Sequence, residues 1–435
     1  MKKIILLLFF VYFNSNAQFW TEQSTGFSSP SRGVGNISIV DENIAWIRVY
    51  DGSDTTNTTV QEFAKTTDGG QTWVPGTISV GSALLGIAQI FGISDTTAWA
   101  VAYPSSNFGT GGIYKTIDGG VTWNRQNTAL FNATGAFPNV VYFWDENNGF
   151  CMGDPTGGFF EIYTTSDGGN NWIRVPQSNI PDNQSGEYGY VGQVFYVDNV
   201  VWYTTNKGRI YKSGDFGHNW VVSQSPISDF GSATSSGEIS FWNVNDGLLV
   251  NNAGATWLTS DGGATWTDLY PNSGIVFGGD ISCIPNTNIV VSTSADSGNP
   301  GSSYSLNGGL DWTIIDSVQH LDVQFLNSNV GWSGGFNTDS STGGIFKYTG
   351  NELLSHSDNS FFNLNFYPNP VVDFLNIKSD KLISGITIFN VFGQKVLTDN
   401  PNNTLATINV SSLSNGSYFL NINVNGKSKT IKFLK

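Results

Sequence analysis

Thr116-Ile117-Asp118-Gly119-Gly120-Val121-Thr122-Trp123 is one of six copies of an eight-residue pattern, and its recurrence decides the fold. The other copies fall at residues 66–73, 165–172, 213–220, 259–266 and 305–312, the last with Asn307 in place of the aspartate. Successive tryptophans lie 50, 49, 48, 46 and 46 residues apart, a period that suits one four-stranded propeller blade per copy. Within each copy the chemistry is local. Asp68, Asp118, Asp167, Asp215 and Asp261, together with Asn307, sit where a side-chain oxygen can accept backbone N–H groups across a turn. The glycines supply the φ > 0 conformation a hairpin demands, and Trp73, Trp123, Trp172, Trp220, Trp266 and Trp312 are placed to anchor the next strand in the core. These twelve residues are therefore expected to be structural.

Upstream of each copy lie an apolar strand, an Asp/Asn turn and a second apolar strand, as in Ile37-Ser38-Ile39-Val40-Asp41 and Val141-Tyr142-Phe143-Trp144-Asp145. A seventh such unit runs from Val323-Gln324-Phe325-Leu326-Asn327 to Gly344-Ile345-Phe346-Lys347-Tyr348 but has no copy of the pattern and no fourth strand after it. Phe19-Trp20-Thr21-Glu22-Gln23-Ser24 resembles the segments that follow the copies, so the N-terminal segment is expected to complete blade seven. Closing the ring in this way removes exposed sheet edges. Composition agrees: 39% hydrophobic residues with 14 Trp exclude a disordered chain, while 51 Gly and 14% aromatics favour strands and turns over helices. The expected architecture is all-β, a seven-bladed β-propeller over residues 18–350, a linker over 351–360 and a small β-sandwich over 361–435.

The pattern Ser/Thr-x-Asp-x-Gly-x-x-Trp resembles the Asp box, or BNR repeat, found in sialidases, sortilin-type domains, xyloglucan-degrading propellers and photosystem II assembly-factor-like proteins. A single seven-bladed ring is most similar to the last group, which is non-catalytic. The final segment has another texture. Phe366-Tyr367-Pro368-Asn369-Pro370, Val371-Val372-Asp373-Phe374-Leu375-Asn376-Ile377, Ile386-Thr387-Ile388-Phe389 and the closing Lys432-Phe433-Leu434-Lys435 are short alternating strands divided by turn residues. Their order resembles the type A C-terminal sorting domain of the type IX (Por) secretion system of Bacteroidetes. The resemblance implies contact with that machinery and export across the outer membrane, ending in release or attachment to the cell surface.

Met1 to Ala17 reads as a cleavable export signal: Lys2 and Lys3, the apolar run from Ile4 to Phe13, then Ser15-Asn16-Ala17 at the cleavage site. No later stretch approaches the ~20 apolar residues of a transmembrane helix. Cys151 and Cys283 each lie inside an apolar strand-like run and are expected to be buried and unpaired. The net charge of −15 conceals an asymmetry, because segment 18–360 holds 10 basic against 31 acidic residues, or −21. That excludes a phosphate-backbone ligand and favours a neutral or cationic partner.

Function is expected on the face opposite the Asp boxes, where the copies differ most: residues 51–60, 105–112, 181–190, 228–237, 270–279 and 294–303. Two side-chain sets are candidates. Glu238, Asp280 and Asp322 occupy matching positions at the start of the inner strands of blades five to seven, where the other blades carry Asn36, Gln89, Val140 and Gln193. They read either as a hydrated polar rim, as a cation site, or as the acid and base of glycoside hydrolysis. Glu187, Tyr188 and Tyr190 form a second set suited to sugar contact. No Asp-x-Asp-x-Asp-Gly loop supports calcium, and no cofactor is expected. A sialidase needs three convergent arginines, and the propeller offers only Arg32, Arg48, Arg125, Arg174 and Arg209, with Arg125 and Arg174 expected on outer strands. Two functions remain open: a binding propeller for a protein or glycan, or a glycoside hydrolase or lyase using the three acids.

Overall fold

The computed structural model describes residues 18–53, 59–105, 111–233, 236–350, 352–353, 364–391, 393–424 and 427–435. The expected export signal and most of the expected linker lie outside the described residues. The chain divides into two compact units, one on either side of residue 355.

The first unit is a ring of seven four-stranded antiparallel blades, of which blades seven and one are joined into one eight-stranded sheet where Gly33 pairs with Phe336. Blade two is representative, with strands Leu85–Gly92, Ala98–Pro104, Gly112–Thr116 and Asn124–Arg125 from the axis outward. The inner strand of each blade packs against the next, and that of blade seven against that of blade one. Blade seven is built from both ends of the unit. Its first three strands are Val323–Asn327, Val330–Asp339 and Thr342–Tyr348, and Trp20–Ser24 supplies the fourth, in register from Trp20 opposite Tyr348 to Ser24 opposite Gly344. Trp20 is buried there and donates from Nε1 to Ser302 Oγ of blade six at 3.0 Å. Burying that indole makes the closure costly to undo.

Each Asp box is a closed hydrogen-bond system. In blade two, Asp118 Oδ1 accepts the Thr116 hydroxyl at 2.8 Å and the Thr122 N–H at 2.9 Å, and Oδ2 accepts the Thr122 hydroxyl at 2.6 Å. Thr116 Oγ1 in turn accepts the Gly120 N–H. Gly119 and Gly120 both have positive φ, whereas blade four places Phe216 at φ 61° where the other boxes have glycine. Blade six exchanges the partners: Asn307 Nδ2 donates to Asp311 Oδ2 at 2.8 Å.

Between blades, a lysine near the end of the third strand acts as a strut. Lys65, Lys115, Lys212 and Lys347 lie over the rings of Trp46, Trp99, Trp202 and Trp332 at 4.7–5.6 Å. Lys65, Lys115 and Lys347 reach the carbonyl of a glycine in the next box, and Lys212 reaches Val244 O. The stem thus covers indole while the ammonium finds an oxygen at the blade boundary. All four indoles are fully buried.

The second unit is a β-sandwich of six strands around Leu375, Ile377, Ile386, Ile388, Leu420, Ile422 and Phe433. Two stretches that read in sequence as separate strands are one, Phe374–Asn390, with a register shift between Lys378 and Ile383. Its first half pairs with Leu364–Tyr367 and Asn403–Asn409, and its second with Lys395–Asp399 and Ser417–Val424. Such an irregularity bends a strand so that it can serve two layers.

Candidate functional site at the channel mouth

The seven inner strands line a central channel, and in most of them a polar side chain near the start reaches the neighbouring blade. Asn36 Oδ1 of blade one accepts the Ile90 N–H of blade two at 2.8 Å, and Gln89 Oε1 of blade two accepts the Val141 N–H of blade three at 2.9 Å. The acids of blades six and seven repeat this bond. Asp280 Oδ2 accepts the Val323 N–H at 2.7 Å, and Asp322 Oδ2 accepts the Ile37 N–H at 2.5 Å, across the point where the ring closes. In blade four Gln193 instead donates from Nε2 to Glu238 Oε1 of blade five at 2.9 Å. Two residues further along, Ser38, Ser240 and Ser282 repeat the staple to Gly92, Cys283 and Phe325 of the following blades. In blades one, two, six and seven a carboxylate or amide here serves an N–H of the next inner strand, with which its own strand forms no ladder.

These acids are therefore not a freely hydrated rim. Glu238, Asp280 and Asp322 are only partly exposed, and the three carboxyls lie close enough to influence one another's charge. Burial, reinforced by the charge of Asp322, pushes the Glu238 carboxyl up to about 8. Burial and the two neighbouring acids push Asp280 well above the usual range, and burial raises Asp322 against the opposing effects of Asp280 and Ile37. Closely spaced carboxyls in a low-dielectric site cannot all ionise. No group of three or more His, Cys, Asp or Glu side chains among the described residues is arranged to hold a metal ion.

Above the acids the channel widens into a cavity of about 670 Å³. Its walls include the connections entering blades six and seven (Val276, Gly278, Gly279, Leu321) and the loops at Asn252 and Asp296 within blades five and six. Phe91, Phe195 and Tyr196 add aromatic surface, and Tyr196 stacks on Tyr142 with ring centres 4.4 Å apart. Blade four shapes the opposite lip. Its inner strand shifts register between Gly189 and Val194, and Gly192, at φ 73°, approaches the Ala88 carbonyl of blade two so closely that a Cβ would lie 3.1 Å from it. The isolated glycine in Tyr190-Val191-Gly192-Gln193 is the sequence signal for this bulge, which the reading of the sequence passed over.

The second candidate set is divided by the fold. Glu187 does not face solvent as the sequence suggested; it is 4% exposed, and Arg209 Nη1, the Thr205 hydroxyl and the Gln184 N–H all bond its carboxylate at 2.8 Å. Its charge is balanced inside the loop it braces. Tyr188 beside it is 43% exposed, and the Tyr190 hydroxyl donates to Asp229. All 14 tryptophans are buried or half-buried, so none is free as a stacking platform.

Residues 365–435 match the family described as a secretion system C-terminal sorting domain, and residues 108–232 match photosynthesis system II assembly factor YCF48. The chain carries a YCF48-like propeller domain and a Por-type C-terminal sorting domain. The solved structure of YCF48 bound to D1 peptide is 16% identical, covers 78% of this chain and 98% of that one, and superposes with a TM-score of 0.52. YCF48 from Cyanidioschyzon merolae gives 16% identity, 76% and 98% coverage, and 0.53. A Hadza microbial sialidase is 13% identical over 73% of this chain and 65% of its own, with a TM-score of 0.41. At such identities the YCF48 likeness establishes the propeller fold and nothing about a ligand. A search of curated proteins returns no match. The sorting domain marks the chain for secretion or cell-surface attachment, and no helix among the described residues is long and apolar enough to cross a membrane.

Proposed function

We propose that this is a binding propeller, exported through the type IX machinery by its C-terminal domain and displayed at or released from the cell surface, with the channel mouth on its variable face as the ligand site. The observation that carries this reading is the engagement of the acids. Asp280 and Asp322 hold the N–H groups of the neighbouring blades and Glu238 accepts from Gln193, so all three carboxyls are occupied in joining blades and are not free to flank a glycosidic bond as acid and base. What remains is a shaped cavity of ligand size on a rigid scaffold, bordered by loops in which the blades differ. Incubating the full chain with a panel of soluble polysaccharides and measuring release of reducing ends tests it. No turnover is expected; turnover that is abolished in the Glu238→Ala, Asp280→Ala, Asp322→Ala triple variant would establish the hydrolase instead.

A further inference from the structure

Asn36 and Gln89 hold the adjacent blade with their side-chain oxygens, so the other half of each amide, the NH2, is left without a protein partner, and both residues line the cavity. Gln89 is 3% exposed as a whole residue, and it lines the cavity. An NH2 in the cavity wall is a donor for whatever fills the cavity. Glu238, Asp280 and Asp322 of blades five to seven line the same cavity, with Asp322 beside blade one where the ring closes. Among the described residues, blade three contributes nothing to the cavity wall, blade four contributes Gln193, and Phe91, Phe195 and Tyr196 present apolar surface.

A ligand for such a mouth must accept from the amides of blades one and two and exchange bonds with carboxyls of blades five to seven that, unable all to ionise, both donate and accept. A bare cation cannot accept and a bare anion cannot donate. A hydroxyl does both, because it carries one donor and two acceptor lone pairs, and a ring bearing several hydroxyls also has C–H faces that rest on aromatic surface. We propose that the channel mouth is a binding site for a neutral, hydroxyl-rich ligand, an uncharged glycan chain end held between the amides of Asn36 and Gln89 and the carboxyls of Glu238, Asp280 and Asp322. This assignment rests on the reading of the protein as a binding propeller and supplies its ligand class.

The test uses the full chain on a printed array of neutral, amino and acidic oligosaccharides, with two variants that keep the blade staples. Asn36→Asp preserves the oxygen that accepts the Ile90 N–H and replaces only the channel-facing NH2; Asp322→Asn preserves the acceptor for the Ile37 N–H and replaces the other oxygen with a donor. Binding to neutral saccharides is expected, weakened about tenfold or more in each variant, the effect of one lost bond in a desolvated site, with thermal unfolding showing both variants folded. Should Asn36→Asp fail to fold, Asp322→Asn, which removes a buried acid, carries the test alone. Absence of binding to any neutral saccharide, preference for the amino or acidic ones, or affinity unchanged in the folded variants would overturn the assignment. If no saccharide binds and none is cleaved, the glycan assignment falls and the binding propeller stands; if the array glycans are cleaved, the binding reading itself falls.

Discussion

The two faces of the propeller treat carboxylates in opposite ways. On the Asp-box face each acid is surrounded by donors: bonds from the Thr122 hydroxyl and N–H, then from Thr116, hold Asp118 down to about 2. At the channel mouth the acids crowd one another out of water, and Glu238 rises to about 8. Both sets hold strands together with the same type of bond, oxygen to backbone N–H, yet their effects on stability have opposite pH dependence. A depressed carboxyl contributes stability that is present above its unfolded value, near 4, and is lost as pH falls toward its folded value. A raised carboxyl contributes stability that is complete below that unfolded value and is lost as pH climbs through the folded one. The ring should therefore be most stable in mildly acidic solution, losing box contributions below pH ~4 and channel contributions between pH ~4 and 8.

The largest expected effect is on the box side. Asp215 accepts the Ser213 hydroxyl, the Asn219 N–H and the Asn219 side-chain N–H at 2.6–2.9 Å. Asp215→Ala should lower stability at pH 7 by about 2 kcal/mol after allowance for solvent screening, read from denaturant midpoints, and should flatten the acid limb of the stability profile. A loss that persists unchanged at pH 2–3 would show that the carboxylate charge is not what holds the turn. At the channel the sign reverses. Asp280→Asn keeps an oxygen for the Val323 N–H and removes a carboxyl that resists ionisation, so the variant should match the parent near pH 4 and exceed it by on the order of 1–2 kcal/mol at pH 8. A variant less stable than the parent at pH 8 would mean that the ionised carboxylate is the better staple.

How legible these two faces were in the sequence follows from their periodicity. The box side repeats residue for residue, so six copies, the blade count and the role of Trp20–Ser24 in completing blade seven could all be read from spacing. The channel side repeats in geometry and not in identity. Asn36, Gln89, Asp280 and Asp322 perform one task with three residue types, and alignment by position showed the acids without showing that their partners are backbone N–H groups of the next blade. Glu187 was misplaced for a related reason: its partner Arg209 lies 22 positions away, on a strand whose register against the loop no local pattern reveals. The lysine struts escaped notice because each acts through a carbonyl of the following blade, although Lys65, Lys115 and Lys212 immediately precede the Ser or Thr of their own box. In the sandwich, the alternation breaks at Ser379-Asp380-Lys381, which reads as a turn but is a bend within one strand.

The finest distinction lies within the box side, in blade six. There Asn307 occupies the acid position and Asp311 the position held by Asn in blades three and four, so the pair keeps one charge with its location exchanged. If the box needs a single carboxylate shared across the turn, and not an acid at one particular position, the exchange is neutral. Asn307→Asp alone would set two carboxylates at the distance now bridged by a 2.8 Å bond, and repulsion between them should lower the unfolding temperature by about 2–4 °C at pH 7, fading below pH ~4 as one of them takes up a proton. Adding Asp311→Asn recreates the arrangement of Asp167 and Asn171, whose side chains meet at 2.7 Å, and should restore the parent's unfolding temperature to within about 1 °C. A double variant as unstable as the single one would show that blade six requires its acid at residue 311, where the Ser273 hydroxyl also bonds it at 2.9 Å. The box would then be a turn motif adapted blade by blade to its neighbour, and not one interchangeable unit.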